Sequence, residues 1–308
     1  MDLTGSRVLV TGGAGFVGSH LADRLVADND VVVVDDCSNG DPDWVPGAAA
    51  FVEGDCTDPD VVADVLTSDV DAVFHFAASK AVDTDRPRAP FEDPVAMPDN
   101  VLERMDEVGV DELAFTSSST VYGEAPRPTP EDYAPLEPIS PYAAGKVAEE
   151  SLISTYAHSH GLRAHVFRFA NIVGPRLRGA VIPDFIEKLR ADPAELTILG
   201  DGRQEKSYMH IEECVDAMCH VVEHADSDLN VYNLGTRTTT SVDRIADIVA
   251  EEMGVDPGYE HTGGDRGWTG DVPRMRLSIE KLSGLGWEPT QSSDDAVRRA
   301  TRELLAEL

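Results

Sequence analysis

The sequence predicts an α/β protein, a doubly wound parallel sheet followed by a smaller C-terminal lobe, and three observations predict it. Short β-branched runs alternate with amphipathic stretches through the first half of the 308-residue chain. A glycine-rich turn stands between the first such run and the first helical stretch. After Asn171 glycine becomes more frequent and the strand-like runs shorten. Strands separated by helices form right-handed βαβ units, which gather the strands into a parallel sheet covered on both faces.

Taken in order, the expected strands of the first half are 7–11, 31–35, 50–52, 72–76, 112–116 and 163–169, with helical patterns between most of them. The second half offers strands at 197–199 and 231–234 and helices near 182–190, 212–224, 241–253 and 293–307. A division follows, with 1–172 as a nucleotide-binding domain and 173–308 as a smaller substrate-binding lobe, some of whose segments return to the first domain. Ligands of such sheets bind in the crevice at the carboxyl ends of the strands.

Composition narrows the function. With 42% hydrophobic residues the chain has material for a sizeable core. Its 57 Asp and Glu against 25 Lys and Arg give a formal charge of -32, a field that repels phosphate backbones and anionic lipid. Nucleic-acid and membrane-surface binding are therefore not expected. Five of those 25 basic residues are lysines (Lys80, Lys146, Lys188, Lys206, Lys281) and the other twenty are arginines. Acid excess with few lysines fits a salt-rich cytoplasm, where cations screen the self-repulsion. Cys37, Cys56, Cys214 and Cys219 form no CxxC pair, so they are read as reduced thiols and not as metal ligands. The N-terminus runs into a strand without a basic and then apolar leader, and 18 uninterrupted apolar residues occur nowhere, so a cytoplasmic protein is expected.

The first chemical motif is the run 8–21. Gly13, Gly15 and Gly18 fit GxGxxG, and Gly12, Gly15 and Gly18 fit TGxxGxxG. Either way a pyrophosphate can sit against the backbone N–H groups of Phe16 and Val17 at a helix N-terminus, the arrangement of a Rossmann-type dinucleotide site. The second strand ends in Asp35, whose carboxylate can accept from a ribose diol. It would repel a 2′-phosphate, and no Arg follows closely until Arg86, so NAD is favoured over NADP.

The second motif is Tyr142-Ala143-Ala144-Gly145-Lys146, a YxxxK heading a helical stretch. Residues four apart share a helix face, so the ammonium can favour the ionised phenol. The third is the hydroxyl-rich run 116–120 at the carboxyl end of the fifth strand, followed by Val121, Tyr122 and Gly123. A hydroxyl there can hydrogen-bond a substrate oxygen while Tyr142 moves its proton.

Together these motifs resemble the extended short-chain dehydrogenases/reductases of the NAD-dependent epimerase/dehydratase family, most nearly its nucleotide-sugar 4-epimerases, over nearly the full chain. The resemblance implies that Gly12, Gly15 and Gly18 bind phosphate and that Asp35 binds the adenosine ribose, with Asp36 and Asn39 close by. It places Asp55 and Cys56 at the adenine, and Phe76, Ala77, Ala78 and Lys80 along the nicotinamide half. Ser118 matches the catalytic hydroxyl, Tyr142 the base and Lys146 its partner. Phe169, Asn171, Val181, Ile182, Arg203 and Tyr208 match contacts to the nucleotide diphosphate and sugar, as do Arg266 and Asp271 in a late loop. The implied reaction is reversible oxidation at sugar C4 through a transient 4-keto sugar, with UDP-glucose and UDP-galactose as the type substrates and a homodimer as the working form.

Ser119 and Thr120 stand where the family's dehydratases carry an Asp-Glu pair, which disfavours dehydration. A nucleotide-sugar dehydrogenase or reductase, and a non-catalytic NAD-binding module, remain as alternatives. Pro94 and Pro98 stand where relatives bear Asn and Thr. An interior proline costs a helix about 3 kcal/mol, so the helix carrying them is expected to begin near Asp99.

Overall fold

The computed structural model describes residues 1–78, 89–267 and 270–308, with the backbone alone at 89–94. The first half contains β1 (Arg7–Thr11), α1 (Phe16–Leu25), β2 (Asp30–Asp35), β3 (Ala50–Glu53), α2 (Pro59–Val65), β4 (Ala72–His75), α3 (Ala89–Val108) and β5 (Glu112–Ser118). Then come α4 (Pro141–Ser159), β6 (Arg163–Phe169), β7 (Asn171–Val173), α5 (Val181–Ala191), β8 (Glu195–Ile198), β9 (Glu205–Lys206), β10 (Tyr208–His210) and α6 (Ile211–His224). The chain closes with β11 (Leu229–Leu234), β12 (Thr240–Ser241), α7 (Val242–Met253), β13 (Gly258–His261), β14 (Arg274–Met275), α8 (Glu280–Gly284) and α9 (Ser293–Glu307).

A seven-stranded sheet has the order β11-β6-β5-β4-β1-β2-β3, and the strands from β5 through β3 pair in parallel. This is the mostly parallel Rossmann-like α/β sheet expected from the alternating pattern. Val8, Leu9 and Val10 of β1 and Val31, Val32, Val33 and Val34 of β2 are all buried. Burial on both faces is what continuous β-branched runs encode, since alternation is needed only where one face meets water. Strand order reverses between β1 and β4, and the loops leaving those two strands flank the switch point where such sheets bind ligands.

Two compact units divide the chain. The first comprises 1–121, 141–168 and 215–232, and the second 122–140, 169–214 and 233–308. In the first, Leu9, Val73, Leu113 and Phe115 from the sheet pack with Val101, Leu102, Met105 and Ile153 from the helices. The second has smaller sheets, β12-β9-β14, β10-β7 and β13-β8. Two of its helices are capped by side chains: Ser241 accepts from Arg244 N at the start of α7, and a Ser292/Asp295 capping box opens α9.

One expectation fails. The helix predicted to begin near Asp99 starts ten residues earlier and runs through Pro94 and Pro98. Pro98 removes the bond that would reach the carbonyl of residue 94, a local loss of about 3 kcal/mol. Met97, Val101, Leu102 and Met105 are buried in the unit's core. Burying such side chains contributes about 1.5–3 kcal/mol each, so tertiary packing outweighs propensity.

Candidate active site

In the first unit, β1 delivers the chain into the glycine turn. Gly12 has φ +67°, and a Cβ there would lie 2.5 Å from Ala77 N, so only glycine lets the turn pass against the loop after β4. A Cβ on Gly18 would lie 2.2 Å from Gly12 O, which fixes how closely α1 can approach the turn. Gly15 is the N-cap of α1 and offers no side-chain cap, and the first helical bond runs from Ser19 N to Gly15 O at 3.0 Å. The N–H groups of Phe16 and Val17 therefore head a ten-residue helix as first-turn donors with no intrahelical acceptor. That is a cradle for an anionic diphosphate.

Asp35 closes the cradle. Its Oδ2 accepts from Ala14 N at 2.9 Å and its Oδ1 from Cys37 N at 2.8 Å. Burial pushes its carboxyl above the usual range, while these two N–H donors pull it back. The next residues form a compact loop: Asp36 Oδ1 accepts from Ser38 N at 2.9 Å and from Ser38 Oγ at 2.7 Å, and Asn39 Nδ2 donates to Ser38 Oγ. Asp55 Oδ1 accepts from Thr57 N at 2.8 Å. Cys56 is buried, and burial pushes its thiol up to about 12. A residue not anticipated from the sequence, Asn100 on α3, donates to Cys56 O at 3.0 Å and Thr57 O at 2.9 Å, tying the helix to this loop. These donors and acceptors fit an adenosine diphosphate group. Phe76, Ala77 and Ala78 follow β4 as expected. Lys80 lies outside the described residues.

Beneath the turn, Thr11 Oγ1 lies 2.8 Å from His75 Nδ1 and accepts from Phe76 N and Ala77 N. His75 is buried, and burial, with the Lys146 charge second, holds its imidazole down to about 3. Thr11 opens the TGxxGxxG pattern, which does not by itself announce this contact, and His75 carries no motif; its position at the end of β4 marks it.

Ser118 ends β5, and its Oγ accepts from Thr120 Oγ1 at 2.9 Å and Thr120 N at 3.2 Å. Ser117 is turned to the other side, donating to Glu150 Oε1 at 2.5 Å, while Arg168 grips Glu150 through Nε at 3.0 Å and Nη2 at 2.6 Å. This anchors α4 to the sheet. Tyr142 stands in the first turn of α4 and is 37% exposed, whereas Lys146 is buried. Lys146 Nζ donates to Glu149 Oε2 at 2.8 Å and lies 4.6 Å from the Phe115 ring centroid. Among the described residues no hydrogen bond joins Tyr142 to Lys146. Burial raises the Glu149 carboxyl and the Lys146 ammonium lowers it.

The second unit gathers several of its expected residues. Asp271 Oδ1 accepts from Lys206 Nζ at 2.5 Å and its Oδ2 from Gly267 N at 3.1 Å. Arg266 donates to Asp271 O at 2.6 Å and also to Glu124. Tyr208 is buried, and burial, with the Asp271 charge second, raises its phenol. Lys206 was not among the expected residues, although it lies two positions before Tyr208 in extended backbone. Asn171 donates through Nδ2 to Ser207 O at 3.3 Å. Val181 and Ile182 open α5, Ile182 fully buried. Arg203 is exposed, its backbone held by Asp201 Oδ1 at 3.0 Å, and it does not join the Asp271 cluster. Among the described residues no group of three or more His, Cys, Asp or Glu is placed to hold a metal ion, and no helix is long and apolar enough to cross a membrane.

Comparison with known proteins places these features in a wider set. Residues 8–235 match the family described as the NAD dependent epimerase/dehydratase family. A UDP-glucose 4-epimerase of Mycolicibacterium smegmatis is 34% identical over 298 residues, covering 92% of this chain and 93% of the relative. A solved UDP-galactose 4-epimerase superposes with a TM-score of 0.89 at 41% identity, covering 98% of this chain and 99% of that one. The Thermus thermophilus UDP-glucose 4-epimerase, solved in complex with NAD, gives 0.87 at 30% identity over 98% of this chain and 100% of that one.

Proposed function

This chain belongs to the NAD dependent epimerase/dehydratase family, and from that premise we propose that it interconverts nucleotide sugars at C4, as an NAD-dependent 4-epimerase of the UDP-glucose/UDP-galactose type. The observation that carries this reading is that one compact unit holds the glycine cradle, Asp35, Ser118 and the Tyr142-Lys146 helix. Full-length similarity to solved UDP-sugar 4-epimerases supports it.

The N–H groups of Phe16 and Val17 would hold the diphosphate of NAD and Asp35 its adenosine ribose diol, and the bound cofactor would supply the hydride acceptor and, in the return step, the donor. Tyr142 receives the C4 hydroxyl proton and later returns it, with the Ser118 hydroxyl orienting the same oxygen. Lys146 supplies positive charge one helical turn from Tyr142. The residues after Ser118 are the hydroxyls Ser119 and Thr120, the latter bonded to Ser118 Oγ. No carboxylate stands there to protonate a leaving hydroxyl, which supports epimerisation over dehydration. Asn171, Val181, Ile182, Arg203, Tyr208, Arg266 and Asp271 of the second unit are the proposed contacts to the nucleotide sugar.

A homodimer, a cytoplasmic location and adaptation to high salt belong to the same proposal, the last supported by the formal charge of -32. Salt adaptation predicts activity that rises with potassium chloride. The function itself is tested by chromatography of UDP-glucose and UDP-galactose after incubation with trace NAD. Interconversion without net reduction of the cofactor is expected, and Tyr142→Phe should lower it at least about 10²-fold while NAD still binds. Stoichiometric consumption of NAD would instead point to a dehydrogenase.

A further inference from the structure

The second unit contains a cavity of about 620 Å³ whose lining includes Arg127, Arg274, Arg276, Glu124, Glu205 and Thr239. Strand register places it. β14 pairs in parallel with β9, so that Arg274 stands opposite Glu205 and Met275 opposite Lys206. Side chains alternate across an extended strand, which puts Glu205, Arg274 and Arg276 on one face and Lys206 with Met275 on the other. Lys206 is bonded to Asp271, a proposed nucleotide-sugar contact. The cavity thus opens on the opposite face of this small sheet. Arg127 is brought beside it because Thr129 N donates to Arg276 O at 3.0 Å and Thr129 bridges to Leu277.

Charge within the cavity runs against that of the chain. Both glutamates are engaged: Glu205 Oε1 accepts from Thr239 Oγ1 at 2.5 Å, Glu205 Oε2 lies 3.9 Å from Arg127 Nη1, and Glu124 is bonded by Arg266. Arg274 and Arg276 have no carboxylate within ion-pair distance among the described residues. In a chain with 57 acidic and 25 basic residues, carboxylates are abundant partners, and Arg237, Arg244 and Arg298 each hold two. Two guanidinium forks two residues apart on one strand face, left without carboxylates, present donors in the geometry that takes an oxyanion from two sides. The volume falls within the range of small-molecule sites.

We propose that this cavity is a second binding site, for a small phosphorylated metabolite whose phosphate sits between Arg274 and Arg276. The inference goes beyond the proposed activity and does not depend on it. It is tested on the full-length protein, saturated with UDP and held at constant potassium chloride, by calorimetric titration with inorganic phosphate. One phosphate per chain should bind in the presence of UDP, and the double variant Arg274→Gln/Arg276→Gln should weaken it at least about tenfold. The variant's melting temperature should match that of the parent, which separates loss of the site from loss of the fold. Unchanged phosphate affinity in the folded variant, displacement of phosphate by UDP, or no uptake by the parent would each overturn the proposal.

Discussion

Thr11 and His75 stand at the carboxyl ends of the neighbouring strands β1 and β4, with 2.8 Å between Oγ1 and Nδ1. Both lone pairs of the Thr11 oxygen are taken by the N–H groups of Phe76 and Ala77. Its O–H must then donate to Nδ1, which leaves the imidazole proton on Nε2. One hydroxyl thereby locks the loop after β4 against the glycine turn, at the switch point of the sheet.

Thr11→Val removes that oxygen: Phe76 N keeps its bond to Thr11 O at 3.0 Å, but Ala77 N–H and the buried His75 Nδ1 lose their partner. Each such loss costs about 1–3 kcal/mol, so a fall of about 2 kcal/mol or more in unfolding free energy is expected, with weaker NAD binding. Thr11→Ser keeps the oxygen and should restore most of both. Denaturant titration and NAD binding measured on the two variants check this; a larger effect from Ser than from Val would show that the methyl group, which Val keeps, matters more than the oxygen.

Lys146 and Glu149 form a buried pair with side chains 3% and 2% exposed. Lys146→Met strands a buried carboxylate, and breaking such a pair costs about 3–5 kcal/mol. Lys146→Met/Glu149→Met removes both charges and should recover much of that loss, although neither variant should turn over substrate. Thermal melts compare them, and a double variant no more stable than the single one would rule the pair out as the cause.

His165 lies in the core, and among the described residues neither of its ring nitrogens has a hydrogen-bond partner. Burial holds its imidazole at about 3, with help from the N-terminal charge and Arg163. In the unfolded chain a histidine titrates near 6.5, so below about pH 6.5 the unfolded state binds a proton that the native state does not. Stability therefore falls as pH drops from about 6.5 towards 3, by up to about 1.4 kcal/mol per pH unit for each such group, and His75 acts in the same direction. Glu112 and Glu149, raised by burial, act in the opposite direction near and above the ordinary carboxyl range. His165→Leu should flatten the acid limb by about one proton and leave stability at neutral pH equal or higher. Urea unfolding at several pH values reads the slope directly.

Pro98 is buried within α3 but lacks the N–H that a helix interior uses. Pro98→Ala returns one backbone bond, gaining up to about 3 kcal/mol. It loses about 1 kcal/mol of side-chain packing and some of the rigidity that proline imposes on the unfolded chain. A net rise of about 1–2 kcal/mol is expected in denaturant titration, and a fall would mean that the ring's packing dominates.

Much of the first unit was legible residue by residue. Arg7–Thr11 and Arg163–Phe169 have the predicted limits, because the first is a mostly β-branched run closed by Gly12 and the second gathers Val166, Phe167 and Phe169 shortly after Gly161. Gly12, Gly18 and Asp35 were readable because a glycine is required where backbone meets backbone, and because an acid at a strand end has a short reach. The α3 start was not legible: proline's cost is local, whereas the burial that outweighs it comes from residues distant in sequence.

The sequence by itself determined the fold class and the dinucleotide turn, since alternating strand and helix patterns and the glycine spacing are local, while Ser118, Tyr142 and Lys146 were singled out by local motifs whose roles the family resemblance implies. Only the tertiary structure decided which charges meet. Glu149 rather than Tyr142 holds the Lys146 ammonium, Lys206 joins Asp271, and among the described residues no carboxylate stands within ion-pair distance of Arg274 or Arg276. Partner choice among buried and half-buried charges depends on distances of a few ångströms across elements far apart in the chain, where Coulomb energy changes steeply. Local spacing sets which residues share an element, but it does not contain those distances.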